Sequence, residues 1–400
     1  MSNVGWTALL ICLAASASNG AIADDMEPVL YTASPRDASA SSNWDAMFHR
    51  EEPRPLERFP EGIEEFLREY GGWYTQLHST TVWQKASASK TDRDSLLNTV
   101  YNLAGAWSPR YDAFLSYWIR GGRPLGDPRN ADLSTDIGSI LDVNGSLESE
   151  AAYLREFYWA QGPTDHFIYT VGLIDASYRY DFNEAANDDT NHFLSSALIN
   201  SATIDFPEPG YAIDGYWQPS ENWGLHLGLY QGNCDDNDGL GCLDELTSKE
   251  YLAPIEWGYR LEVPGWGTGN YRILGFYKED DGKKGGGLSI SVDQQIGRFM
   301  PFLRASIGDP DIAEVERFFS AGVAWQPLLK RPDDVIGLGY ATGSPADKNK
   351  PTEKLFELYW RFQLNPFVSV TPDIQWVFDP ANNPDKDRVF VFGMRLNLDF

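Results

Sequence analysis

The sequence is short of the residues that build most catalytic and metal centres: 400 residues include three cysteines and five histidines. His49, His78, His166, His192 and His226 fall in no Gly-x-Ser-x-Gly or His-Glu-x-x-His setting, so no nucleophile elbow or zinc-hydrolase helix is encoded. Positive charge is also scarce. Lys and Arg total 32 against 58 Asp and Glu, a net charge of −26, which argues against nucleic acid as a partner because phosphates need a basic stripe. No internal apolar run reaches about 18 residues, so a helical membrane protein is excluded; a β-barrel is not, because alternating strands escape hydropathy averaging. Nor is there a blade-like internal repeat of about 40–50 residues, which excludes a propeller. What the chain has in plenty is aromatic: Trp 14, Tyr 20 and Phe 21, 14% of the chain, with 22% charged.

Residues 1–23 read as an export signal. Trp6 to Ala17 is apolar but too short to span a bilayer, and Ala21-Ile22-Ala23 has the small-x-small form of a cleavage site. Residues 24–70 form an acidic, Pro-bearing leader. It ends in FPEGIEEFLREYGG, where Ile63, Phe66, Leu67 and Tyr70 predict one short amphipathic helix. Without Cys12, two cysteines remain, Cys234 and Cys242, and a close pair in an exported chain points to a disulfide. Counting from Cys234, Asp236, Asp238, Gly239 and Glu245 sit at calcium-loop positions, but Cys234 takes the first ligand place and no flanking helices are predicted. No metal or cofactor is expected.

From residue 71 to 400 the period is two. In RVFVFGMRLNLDF, Phe390, Phe392, Met394, Leu396, Leu398 and Phe400 alternate with Val391, Gly393, Arg395, Asn397 and Asp399, as in a strand facing lipid on one side. Sixteen such strands can be marked, near 71–86, 95–107, 111–121, 150–161, 165–175, 211–218, 221–231, 251–263, 269–279, 285–295, 298–307, 316–326, 334–342, 353–364, 367–378 and 388–400. Short turns such as Asn365-Pro366 interleave with longer polar loops such as 122–149 and 176–210. The fold class is all-β, a transmembrane up-and-down antiparallel β-barrel of sixteen strands with a short N-terminal helix.

Two stretches carry a family resemblance. LFELYWRFQLNPFVSVTPDIQWVFDP with RVFVFGMRLNLDF, and VGLIDASYRYDFNEAANDDTNHFLSSALINSATIDFPEPGYAIDGYWQPSENWGLHLGLYQGN, resemble the carbohydrate-selective porins of the OprB type. The resemblance covers roughly 71–400. It implies a sixteen-stranded channel in the Gram-negative outer membrane, passing sugars and polyols through a constriction lined by arginines.

Strand parity assigns the lumen independently. Trp118 and Arg120, Glu256 and Arg260, Arg272, Arg304, Glu357 and Arg361, Asp373 and Arg395 all fall on inward faces. Guanidinium, carboxylate and an aromatic face together suit a sugar, whose hydroxyls accept from Arg and donate to Asp or Glu. No catalytic residues are assigned, and the expectation is a channel, not an enzyme. A secreted or periplasmic all-β carbohydrate-active enzyme is the alternative reading. The expected partners are sugars or polyols, outer-membrane lipid, the barrel-assembly machinery through the terminal Phe400, and a second copy of the chain.

Overall fold

The computed structural model describes residues 73–399, apart from 111–112, 127–131, 146–150, 165, 221, 233, 235–249 and 327–332. The expected signal, leader and leader helix, Cys242 and Phe400 lie outside the described residues. Sixteen antiparallel strands form one closed barrel in sequence order. They are β1 (Trp73–Ala86), β2 (Ser95–Arg110), β3 (Ala113–Pro124), β4 (Tyr153–Thr164), β5 (Phe167–Ile174), β6 (Gly210–Ser220), β7 (Trp223–Gln231) and β8 (Tyr251–Val263). Then come β9 (Gly267–Asp280), β10 (Lys283–Gln294), β11 (Phe299–Gly308), β12 (Val315–Trp325), β13 (Val335–Pro345), β14 (Glu353–Asn365), β15 (Val368–Phe378) and β16 (Arg388–Asp399). Every expected strand is present, displaced by a few residues at its ends. Pairing of β1 with β16, from His78 opposite Asp399 to Ala86 opposite Val391, closes the ring and leaves no open edge.

The alternation seen in the sequence is what allows closure. On β16 the inward Val389, Val391, Gly393, Arg395, Asn397 and Asp399 are buried, while Phe392 and Met394 are exposed. Ile213, Leu227, Ile255, Ile273, Leu288, Ile307 and Leu338 are likewise exposed on other strands. Aliphatic side chains outside and polar ones buried inside invert the soluble arrangement, and such a surface is stable only against hydrocarbon. Aromatic residues gather at the strand ends: Trp217 with Trp223, ring centroids 5.6 Å apart, and Trp360 with Phe362, 4.5 Å apart, at one end, and Trp376 with Phe390, 6.2 Å apart, at the other.

The described connections at one end, as at β8–β9, β10–β11 and β14–β15, are short turns. Asn365 caps the β14–β15 turn by accepting from the Phe367 N–H at 2.8 Å. The other end carries the loops, except between β9 and β10, where Asp281 and Gly282 (φ 46° and 74°) make a two-residue hairpin turn of the kind that matches strand twist.

Two of the longer polar loops, those that follow β3 and β5, pack within the lumen through their described residues. They turn into the barrel. The first carries helix α1 (Leu133–Ile137), begun by Asp132, whose carboxylate accepts from the Thr135 N–H at 2.9 Å, and ended by Gly138 at φ 80°. The second runs from Asp175 to Pro209 and carries the short α2 (Ser196–Ile199). Leu133, Ile137, Leu141 and Val143 of the first loop and Phe193, Ala197, Leu198 and Ile199 of the second pack with inward Leu96, Phe302, Ala341, Leu355, Tyr359, Val377, Val389 and Val391. Among the described residues, the largest hydrophobic core is thus inside the lumen, built by loop insertion.

Candidate functional site

The parity assignment of inward residues holds, but insertion of the second loop gives most of them a partner in protein. None of Glu256, Arg272, Arg304, Glu357, Asp373 and Arg395 is more than 2% exposed. Arg304 donates to the carbonyls of Leu198 (3.1 Å), Asp181 (3.1 Å) and Ala186 (2.6 Å), and its Nε lies 3.2 Å from the Asp181 carboxylate. Arg395 donates to the carbonyls of Asp189 and His192, and its neighbour Asn397 donates to that of Thr190 at 2.7 Å. The Glu357 carboxylate accepts from the N–H groups of Leu194 and Ser195, at 2.5 and 3.0 Å. Glu256 accepts from the Asp181 N–H at 2.9 Å. Backbone that leaves a ladder must find other hydrogen-bond partners when buried. Here the lumenal charges supply them.

The remaining assigned residues divide. Arg272 pairs with Asp293 at 3.0 Å and stands over the Phe182 ring of the inserted loop at 5.1 Å. Asp373 accepts from Gln375 at 3.2 Å. Trp118 is buried, donates to Asn102 at 2.9 Å and meets Tyr178 edge-on at 5.0 Å, so its ring face is not free for a solute. Arg155 lies 5.2 Å from both those rings and is paired with Asp175. Arg120 and Arg260 are buried as well, Arg260 within 3.9 Å of Glu262 near the turn end. Arg361 differs. It is part-exposed, and donates to Asn191 Oδ1 of the inserted loop at 3.1 Å. Asn187, Asn191, His192 and Glu184, on the same loop, are also part-exposed.

Sequence parity missed several participants. Asp181, on left-handed backbone (φ 58°), joins Arg304 to Ser289 and to the Ser201 N–H. Glu353 holds the first loop by accepting from the N–H groups of Ile140 and Leu141, at 3.1 and 3.2 Å. Gln84 and Gln375 both donate to the Val143 carbonyl, at 2.8 and 3.0 Å. Asp142 (φ 54°) ties the loops together, accepting from Ser134 and, at 2.5 Å, from Ser196. Burial raises the Asp142 and Asp181 carboxyls above their ordinary range; Ser134 and Ser196 oppose this for Asp142, and the Arg304 guanidinium opposes it for Asp181. The signal was present in apolar runs inside segments classed as polar: Phe193-Leu194 and Ala197-Leu198-Ile199. His78 lines the wall, bonded to Thr80 at 2.7 Å and to Asp399. Cys234 is buried and disulfide-bonded.

This geometry has close counterparts. The family model for the carbohydrate-selective porin, OprB family, matches residues 281–400, from the β9–β10 turn through β16. Over those residues the chain is similar to the porins of the OprB family. The high-pH structure of Pseudomonas putida OprB superimposes with a TM-score of 0.71 at 16% identity, covering 85% of this chain and 96% of that one, which shows a shared fold. Porin AaxA of Chlamydia pneumoniae is 23% identical over 82% of this chain and 73% of its own length. An uncharacterized protein of Aquifex aeolicus is 27% identical over 68% of this chain and 75% of its own. This porin is therefore an outer-membrane channel of the Gram-negative envelope. The enzyme alternative draws no support from these relatives.

Proposed function

We propose that the channel passes neutral carbohydrates and polyols, and that solute meets the wall at Arg361 together with the part-exposed polar residues of the inserted loop. The observation that carries this reading is charge compensation. Arg304 faces Asp181, Arg272 faces Asp293, and Glu357 is satisfied by two backbone N–H groups. A wall whose buried charges are matched in place exerts little net field on a passing solute, so it rejects neither sign strongly and favours neutral molecules that exchange hydrogen bonds. The arginines of the expected ring then act mainly by fixing the loop that shapes the passage; Arg361 is the guanidinium left to touch solute.

Swelling of liposomes carrying the porin, in sugars, polyols and charged analogues of equal size, tests this directly. Neutral sugars and polyols should enter fastest. A current that is strongly ion-selective and insensitive to added sugar would refute the proposal. The same reading includes export through the signal at 1–23 and recognition by the assembly machinery through Phe400. Replacing Phe400 should slow barrel insertion without altering the conductance of the fraction that inserts.

A further inference from the structure

His78, Thr80, Asn397 and Asp399 stand together on the inward face of the seam that closes the barrel, His78 opposite Asp399 and Thr80 opposite Asn397. All four are buried. They form one chain of hydrogen bonds that ends on the inserted loop. Asp399 meets His78 Nδ1, His78 Nε2 meets Thr80 Oγ1 at 2.7 Å, Thr80 meets Asn397 Oδ1 at 2.9 Å, and Asn397 Nδ2 meets the Thr190 carbonyl at 2.7 Å. On the loop, Asp188 accepts from the Thr190 N–H and hydroxyl, both at 2.6 Å, and from Asn191 at 3.0 Å; Asn191 in turn accepts from Arg361 at 3.1 Å. The seam is linked, contact by contact, to the guanidinium that remains part-exposed.

The far end of the chain fixes the direction of every hydrogen in it. A carbonyl only accepts, so Asn397 turns its amide nitrogen to Thr190 and its oxygen to Thr80. That oxygen also only accepts, so the single hydroxyl proton of Thr80 goes to it. His78 Nε2 must then donate to Thr80, and the contact of Nδ1 with the carboxylate needs a further proton. The pair therefore holds one proton more than a neutral imidazole beside a carboxylate: it is an imidazolium against Asp399. We infer that His78 is a positioning residue, whose protonation holds the inserted loop to the wall at Thr190. When the pair gives up that proton, Nδ1–H stays with Asp399 and Nε2 becomes an acceptor. Thr80 turns its hydroxyl to Nε2, Asn397 Oδ1 loses its donor, and the hold on Thr190 weakens. A buried acceptor left bare weakens such a contact by about tenfold to a hundredfold. The latch is closed at low pH and loosens as pH rises. By register and contact, the charged or titratable groups around it among the described residues are Asp399 and Arg395 on β16, Asp373 on β15, Arg120 on β3 beyond the uncharged Asn102 of β2, and Asp188, Asp189 and His192 of the loop.

Imidazole ¹⁵N shifts of the full-length porin in detergent micelles, with His78 assigned by its loss in His78→Gln, should show both ring nitrogens protonated at low pH. Over the pH range in which those shifts report loss of the proton, protection of the backbone amides at 188–192, corrected for intrinsic exchange, should fall about tenfold to a hundredfold. In Thr80→Val the ring still titrates but the chain is cut, so protection there should be low and flat with pH. The heat-modifiable band checks that this variant folds, and it carries the test if His78→Gln does not. The effect on passage rests on the proposed contact of solute with Arg361; amide exchange does not, so either can fail without the other. A singly protonated ring wherever the loop is protected would overturn the inference. So would protection that is unchanged as the proton leaves, or a Thr80→Val porin that keeps the unaltered pH dependence.

Discussion

Arg304 is the position where the role of the lumenal charges is most open to measurement. Arg304→Met keeps most of the side-chain length and removes three hydrogen bonds to carbonyls and a charge. The three bonds run to carbonyls of the inserted loop, and both members of the Arg304–Asp181 pair are fully buried. Hydrogen bonds from a charged group contribute about 1.5–3 kcal/mol each, and leaving one member of a buried pair alone costs about 3–5 kcal/mol. These overlap, because Asp181 supplies both a carbonyl and the carboxylate, so we take about 5 kcal/mol as the weakening of the docked loop. At about 1.4 kcal/mol per tenfold, the docked fraction relative to the undocked falls by between three and four powers of ten. By contrast, Lys85–Asp94 at the rim is about half-exposed on both sides, and such a pair contributes about 1 kcal/mol at most. Planar-bilayer recording should show Arg304→Met with larger and noisier conductance, and amide exchange across 181–201 should accelerate, while Lys85→Ala changes neither. If Arg304→Met gave unchanged conductance and unchanged exchange, Arg304 would not be what holds the loop, and the reading of the buried arginines as anchors would fail.

Other consequences are more local. Arg361→Ala should widen the passage, raise conductance modestly and weaken any anion preference in reversal-potential measurements, with the folded band unaltered. Gly172→Ala should lose that folded band altogether, because Gly172 has φ 146° and an added Cβ would stand 2.3 Å from the Phe157 carbonyl oxygen across the β4–β5 pairing. Asp142 titrates higher in the folded state than in the unfolded chain. Its contribution is therefore fully present below the unfolded carboxylate range and is lost as pH rises through the folded value. Asp142→Asn, which tolerates the same left-handed backbone, should flatten that part of the stability-versus-pH curve above about pH 4, read by thermal loss of the folded band.

Most of the barrel is legible in the sequence. A closed sheet with lipid outside and a polar lumen forces each strand to alternate with period two, and that constraint is written locally, strand by strand. β16 shows it most plainly: the split between Phe392 and Met394 outside and Arg395 and Asn397 inside follows from counting. Inward direction was legible for the same reason, and Glu256, Arg304, Glu357 and Arg395 all point where parity put them. Whether an inward residue meets water or protein was not legible. That depends on the path of a loop more than thirty residues long, which no local period constrains. Only the tertiary structure decides that Phe193 and Leu198 sit in the barrel, that the carbonyls around them take up Arg304 and Arg395, and that Arg361 remains open. The sequence by itself determined the wall, because burial against lipid is a repeating local rule. The folded chain decided the passage, because satisfying the backbone of an inserted loop is a long-range problem with partners 123 to 206 residues away.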